Sequence, residues 1–226
     1  ITNLYGNLYN NLSNFVSKTF KMRLSFAISI MLFLTCGSWY TYLHHTVDFC
    51  HGNAGISLGI GAKVIGNECV GISNGIVPFD LQSPDHGLKL QAADALKRGD
   101  LTGASGALSD AINTDPNDAE ARIYLEDLQI PSSSFHITLI VDVTLTGQYM
   151  AYGREILRGA YTEQQENNEQ CVTNPHCVYL YLLIANTGSG YSQESDNANY
   201  IAEQMTLIID AEQHHESSLN LVGVMD

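Results

Sequence analysis

The stretch Ile137–Gly159, ITLIVDVTLTGQYMAYGREILRG, decides how this chain is read. Ile137, Leu139, Ile140, Val141 and Val143 form a β-branched apolar run that ends in Thr144-Leu145-Thr146-Gly147. An amphipathic helix pattern through Ile156, Leu157, Ala160 and Tyr161 begins a few residues later. A buried strand, a glycine-bearing loop and a helix open a parallel α/β sheet. Sheets of that kind bind ligands at the carboxyl ends of their strands, which is where the loop Thr144–Gly153 falls.

The pattern repeats downstream. Tyr179–Asn186, YLYLLIAN, is a second apolar strand. Ala198–Glu212 carries Ile201, Ala202, Met205, Ile208 and Ile209 at helical spacing, and Leu219–Met225 is a third strand. Alternating strands and helices over so short a span imply right-handed crossovers in one sheet.

The order and spacing of ITLIVDVTLTG, MAYGREILRGAYTEQQENNE, VYLYLLIAN and LNLVGVM resemble the opening of a periplasmic-binding-protein-like domain of the leucine/isoleucine/valine-binding type. The resemblance covers Ile137–Met225. It implies a three-layer α/β lobe at 136–226 that forms the first half of a lobe, with further chain and a second lobe to follow. It also implies that the chain by itself does not bind an amino acid with micromolar affinity. Two positions carry over as ligand-binding: Thr146 as the loop hydroxyl, and Tyr152, which precedes Gly153, as the aromatic that faces the ligand.

Upstream, residues 1–21 contain no acid and read as an upstream or disordered tail. Met22-Arg23 followed by an uncharged run through Leu43 reads as a signal anchor or transmembrane helix at 22–45, since about twenty apolar residues span a bilayer. Lys18, Lys21 and Arg23 lie before it, which places the remainder outside the cytoplasm at the cell membrane. Three fates stay open: cleavage, lipidation at Cys36 in a lipobox-like Leu34-Thr35-Cys36-Gly37, or retention as an anchor.

All 24 acids follow Cys36 and only seven of the ten bases do, so the exported part carries about −17. That charge argues against nucleic acid or anionic lipid as a partner. Export permits disulfides: Cys171 and Cys177 bracket a turn and form one expected pair, and Cys50 with Cys69 the other. A metal reading with His51 beside Cys50 and His176 beside Cys177 lacks the paired spacing of a closed zinc site, so no metal or other cofactor is expected. His44-His45 and His214-His215 read as surface histidines.

Residues 46–87 read as a glycine-rich linker and a β-hairpin. Within Asn53–Gly66, Gly55-Ile56-Ser57-Leu58-Gly59 matches a nucleophile-elbow pattern, yet no strong strand precedes it, so Ser57 is not expected to be catalytic. Asn74-Gly75 between alternating apolar residues predicts the hairpin turn, and Pro78 an edge strand.

Residues 88–130 resemble a tetratricopeptide-like helical hairpin, with Ala92, the Gly99-Asp100 turn, Ala104, Leu108 and Ala111 on the inner face, Pro116 closing it and Ala119-Glu120-Ala121 opening another helix. Ile130–Ser134 links it to the α/β part.

The leading expectation is therefore a non-enzymatic, membrane-anchored, extracytoplasmic solute-binding component of an ABC uptake system or a sensor. It would take a small amino-acid-like solute and meet an ABC permease or another membrane protein. The alternative is a membrane-tethered protein-interaction module using the tetratricopeptide-like helices. The third strand should present an apolar flank that favours self-association.

Overall fold

The computed structural model describes residues 50, 58–66, 68–174, 176–189 and 194–225. The segments 1–21 and 22–45, Cys36, His44, His45, His51 and Ser57 lie outside the described residues. Among the described residues no helix is long and apolar enough to cross a membrane.

Five strands form one mixed sheet: β1 (Gly61–Ile65), β2 (Glu68–Ser73), β3 (His136–Val143), β4 (Tyr179–Asn186) and β5 (Leu221–Met225). Their order is β1-β2-β4-β3-β5. Among the described residues five α-helices accompany them: α1 (His86–Lys97), α2 (Leu101–Thr114), α3 (Ala119–Gln129), α4 (Met150–Thr173) and α5 (Glu194–Gln213). A 3₁₀ turn, Gly147–Tyr149, precedes α4.

The three strands expected to be parallel are so. β3 pairs with β4 along its whole length, from His136 opposite Tyr179 to Val143 opposite Asn186, and pairs with β5 on its other side. Alternation then sorts the side chains into two cores. Val141, Val143, Leu182 and Ile184 face Leu157 and Ala160 of α4 together with residues of α1, α2 and α3. Ile140, Leu183 and Ala185 face Tyr200, Ile201 and Ile208 of α5. The lobe is thus three-layered, and continuous apolar strands follow from burial on both faces.

The sheet is not wholly parallel, and the hairpin is not where Asn74-Gly75 would put it. β1 and β2 are the hairpin, with Gly66 (φ 61°) in the turn, and β2 runs antiparallel to β4. Asn74-Gly75 instead terminates β2. The Ser73 hydroxyl accepts from Gly75 N at 3.0 Å and Val77 N at 3.1 Å, competing with the ladder. Pro78 lies in the irregular segment that follows and belongs to no strand. The described part of the glycine-rich segment is therefore largely strand. Gln204 of α5 holds it, accepting from Ile72 N at 3.1 Å and donating to Gly61 O at 2.7 Å.

The helical hairpin forms as expected. Ala92, Ala104, Leu108 and Ala111 are buried, and Asp100 and Asp118 cap α2 and α3 by accepting from Gly103 N and Ala121 N. These helices share a core with α4, so they are a layer of the α/β lobe.

β2 reaches only Ile184–Asn186 of β4, which leaves the amino half of β4 without a strand on that side. Side chains take its place. Asn168 of α4 accepts from Leu180 N at 2.8 Å and donates to Leu180 O at 3.1 Å, as a neighbouring strand would. Asp127 of α3 accepts from Leu182 N at 3.1 Å. Buried backbone groups left unpaired would each cost about 1–3 kcal/mol, which explains why a core-facing stripe of α4 includes buried Gln164 and Asn168. At the opposite edge, β5 exposes Val222 (59%) and Val224 (46%).

Candidate functional site

Because α4 and α5 cover opposite faces, the chain leaves adjacent strands β3 and β4 in opposite directions. Such a divergence opens a crevice at the strands' carboxyl ends. Its described walls are the β3–α4 connection and Thr187–Ser189, which follow β4.

Asn186 ends β4 and joins these walls. Fully buried, it accepts from Leu145 N at 2.9 Å on one side and donates to Cys69 O at 2.7 Å on the other. The Thr144 hydroxyl donates to Gly188 O at 3.1 Å, and the Thr187 hydroxyl to Val143 O at 3.2 Å. Gly147 holds a left-handed φ of 60° opposite Ser189. Gly153 lets α4 start tight against the strand, because a Cβ there would run into the Thr144 carbonyl oxygen. The helix amino terminus is thereby brought to the crevice with its amides partly positive.

Within this frame the Thr146 hydroxyl is enclosed and has no hydrogen-bond partner among the described residues. Tyr152, in the first turn of α4, is 72% exposed. The two ligand positions expected from sequence thus lie on one connection, one sheltered and one open to solvent. Sequence reasoning missed Glu68. Antiparallel pairing brings the start of β2 to the end of β4, where Glu68 accepts from Ser189 N at 2.7 Å and from the Ser189 hydroxyl. Asn197 of α5 was missed as well: it donates to Thr187 O at 2.9 Å while its Oδ1 is unpartnered among the described residues. Glu68 had no local signal, since it enters through pairing with a residue far away in sequence, and Asn197 reads from sequence as an ordinary polar residue at the start of a helix.

The crevice therefore offers hydroxyls and a helix amino terminus beside β3 and a carboxylate beside β4. Both expected cysteine pairs are closed, Cys50–Cys69 with Cα atoms 5.6 Å apart and Cys171–Cys177 at 4.9 Å. Among the described residues no group of three or more His, Cys, Asp or Glu is placed to hold a metal ion.

A second polar cluster lies among the helices. Lys89 of α1, 1% exposed, donates to Asp118 at 2.6 Å and Glu120 at 2.8 Å. Glu120 also accepts from Phe79 N at 2.6 Å, Asp80 N at 3.0 Å and the Tyr124 hydroxyl at 3.3 Å. Arg154 of α4 grips Asp80 with two hydrogen bonds of 2.6 and 2.9 Å. Burial alone would lower the Lys89 ammonium, but the Glu120 and Asp118 carboxylates outweigh it and raise it. Burial likewise pushes Asp118 up and Lys89 more than reverses it, whereas burial wins at Glu120 and holds that carboxyl above its ordinary value. Perturbed titration often marks catalysis. Here the carboxylates are tied to one another's elements and Lys89 is sealed from solvent, so the cluster fastens the segment after β2 to α1, α3 and α4.

No family model, curated protein or solved structure matches this chain.

Proposed function

We propose that the chain is a non-enzymatic solute-binding lobe, acting outside the cytoplasm at the cell membrane as part of an ABC uptake system or a sensor, with the crevice at the ends of β3 and β4 as its ligand wall. The observation that carries this reading is the enclosed, unpartnered Thr146 hydroxyl at the divergence of the two strands. Buried polar groups are normally hydrogen-bonded, and an exception at a strand-end crevice suits a group awaiting a ligand. An amino-acid-like solute fits the polarity: its carboxylate toward the α4 amino terminus and Thr146, its ammonium toward Glu68. Two closed disulfides support an oxidising compartment.

One wall gives weak affinity, on the order of millimolar. Amide chemical shifts followed during titration with leucine, serine and glutamate should show saturable changes confined to Thr144–Gly153 and Thr187–Ser189, and Thr146→Val should abolish them. Shifts scattered over the surface, or none, would sink the reading.

A second reading, a protein-interaction module built on α1–α3, is favoured by one observation: an open groove of about 640 Å³ between α3 and α4.

A further inference from the structure

The groove is bounded by α3, the Ile130-Pro131 segment that leaves it, α4, and the start of β4 at Tyr179. Its volume falls in the range of about 300–1,000 Å³ seen for binding sites. Along α4 it runs from Tyr161 to Val172, which at ~1.5 Å per residue is about 16 Å. That length accommodates about five residues of extended chain at ~3.3 Å each.

Its chemistry is uneven. At one end Arg122 is already engaged: Nε and Nη2 donate to Pro116 O at 3.0 and 2.9 Å, Nη1 donates to the Tyr161 hydroxyl at 3.3 Å, and the guanidinium stacks on that ring. Glu126 and Glu169 face each other farther along, and among the described residues no cation pairs with either. Burial first, and the neighbouring Glu169 second, push the Glu126 carboxyl above its ordinary value despite a hydrogen bond with Asn168. Two facing carboxylates on a half-buried wall repel each other until a cation lies between them. Beside them Val172 is 77% exposed, and Leu125, Ile130 and Pro131 supply an apolar floor.

We infer that this groove takes an extended basic peptide segment of a partner protein, with Lys or Arg side chains at Glu126 and Glu169 and intervening apolar side chains on Leu125, Ile130 and Val172. Charge complementarity selects the occupant: an acidic chain of net charge −14 repels acidic segments and draws basic ones. The inference deepens the interaction reading and is independent of the solute crevice.

The test is fluorescence anisotropy with two labelled nine-residue peptides that alternate leucine with arginine or leucine with glutamate. The arginine peptide should bind saturably, at least tenfold more tightly than the glutamate peptide. Combining Glu126→Gln with Glu169→Gln should weaken it tenfold or more. Val172→Ser, a surface change that leaves folding intact and adds no charge, should remove an apolar contact and weaken it severalfold. Glu203→Gln on the opposite face of the sheet, and Thr146→Val in the crevice, should leave it unchanged. Four results would each overturn the inference: no saturable binding; equal binding of both peptides; an equal loss with Glu203→Gln, which would make the effect one of net charge; and a loss with Thr146→Val, which would move the site to the strand ends. Sedimentation showing a dimer that excludes the peptide and dissociates with Val172→Ser would assign the groove to a second copy instead.

Discussion

The Lys89 cluster and the Thr146 loop both shelter polar groups from water, yet they treat them in opposite ways. Lys89 meets two carboxylates, and Glu120 collects two backbone amides and a phenol besides. Thr146, with a single hydroxyl to satisfy, meets nothing among the described residues. Buried oxygens without a partner occur at structural positions too, on Asp127 and Gln164, so what sets Thr146 apart is its place at the strand ends; on the proposed reading it is a group held for a ligand, whereas the Lys89 cluster builds the fold. Removing the cluster should unfold the protein, and removing the Thr146 hydroxyl should leave it standing but idle.

The largest effect should come from Lys89→Met, which leaves Asp118 and Glu120 buried without their cation and should cost about 3–5 kcal/mol in urea unfolding. Replacing Glu120 by Gln in the same chain should recover part of that loss. A cost under about 1 kcal/mol would erase the contrast with Thr146.

Next come the disulfides. The Cys50–Cys69 bond closes a separation of 19 residues and Cys171–Cys177 one of 6. Loop-closure entropy puts Cys69→Ser at about 3 kcal/mol and Cys177→Ser at about 2 kcal/mol, and the reverse order would count against an entropic origin. Gly153→Val forces a branched side chain against the Thr144 carbonyl and should cost about 1–3 kcal/mol, together with any solute response.

Asp127 sharpens the comparison through pH. Burial holds its carboxyl well above the ordinary value of 3.8, against the opposing hydrogen bonds from Leu182 N and Gln164. The folded state therefore binds this proton more tightly than the unfolded chain does. Its contribution is greatest at low pH and fades as pH climbs from the unfolded value through the folded one. Asp127→Asn should accordingly flatten the loss of stability that sets in as pH rises above about 4, and an unaltered slope in the variant would contradict the assignment. Smallest of all, Thr146→Val should change stability by less than about 0.5 kcal/mol while removing the chemical-shift response.

What could be read in the sequence follows the same divide. β3 and β4, buried on both faces, are runs of apolar residues, and YLYLLIAN matches β4 residue for residue. The helical hairpin was legible because its small residues, turn glycine and caps are local signals. The β1–β2 hairpin was misplaced because Asn74-Gly75 carries a turn signal that Ser73 converts into a strand stop. Half of the crevice could be read, since Thr146 lies on the first loop. Glu68 could not, because it reaches the crevice through a partner far away in sequence, and Asn197 could not, because a polar residue early in a helix carries no sign of the carbonyl it will meet. Gln164 and Asn168 were hidden for a related reason: a polar residue in a helix stripe reads as surface, whereas here it stands in for a strand.

That substitution has a mechanical side. Asn168 mates with both backbone groups of Leu180, so α4 is indexed against β4 like a tooth in a rack, and sliding the helix by one residue would unmake the match. The crevice begins at the amino end of α4, and the groove lies along its carboxyl half. A helix that cannot piston is a poor messenger, so occupancy of one surface should leave affinity at the other unchanged, two instruments bolted to one beam.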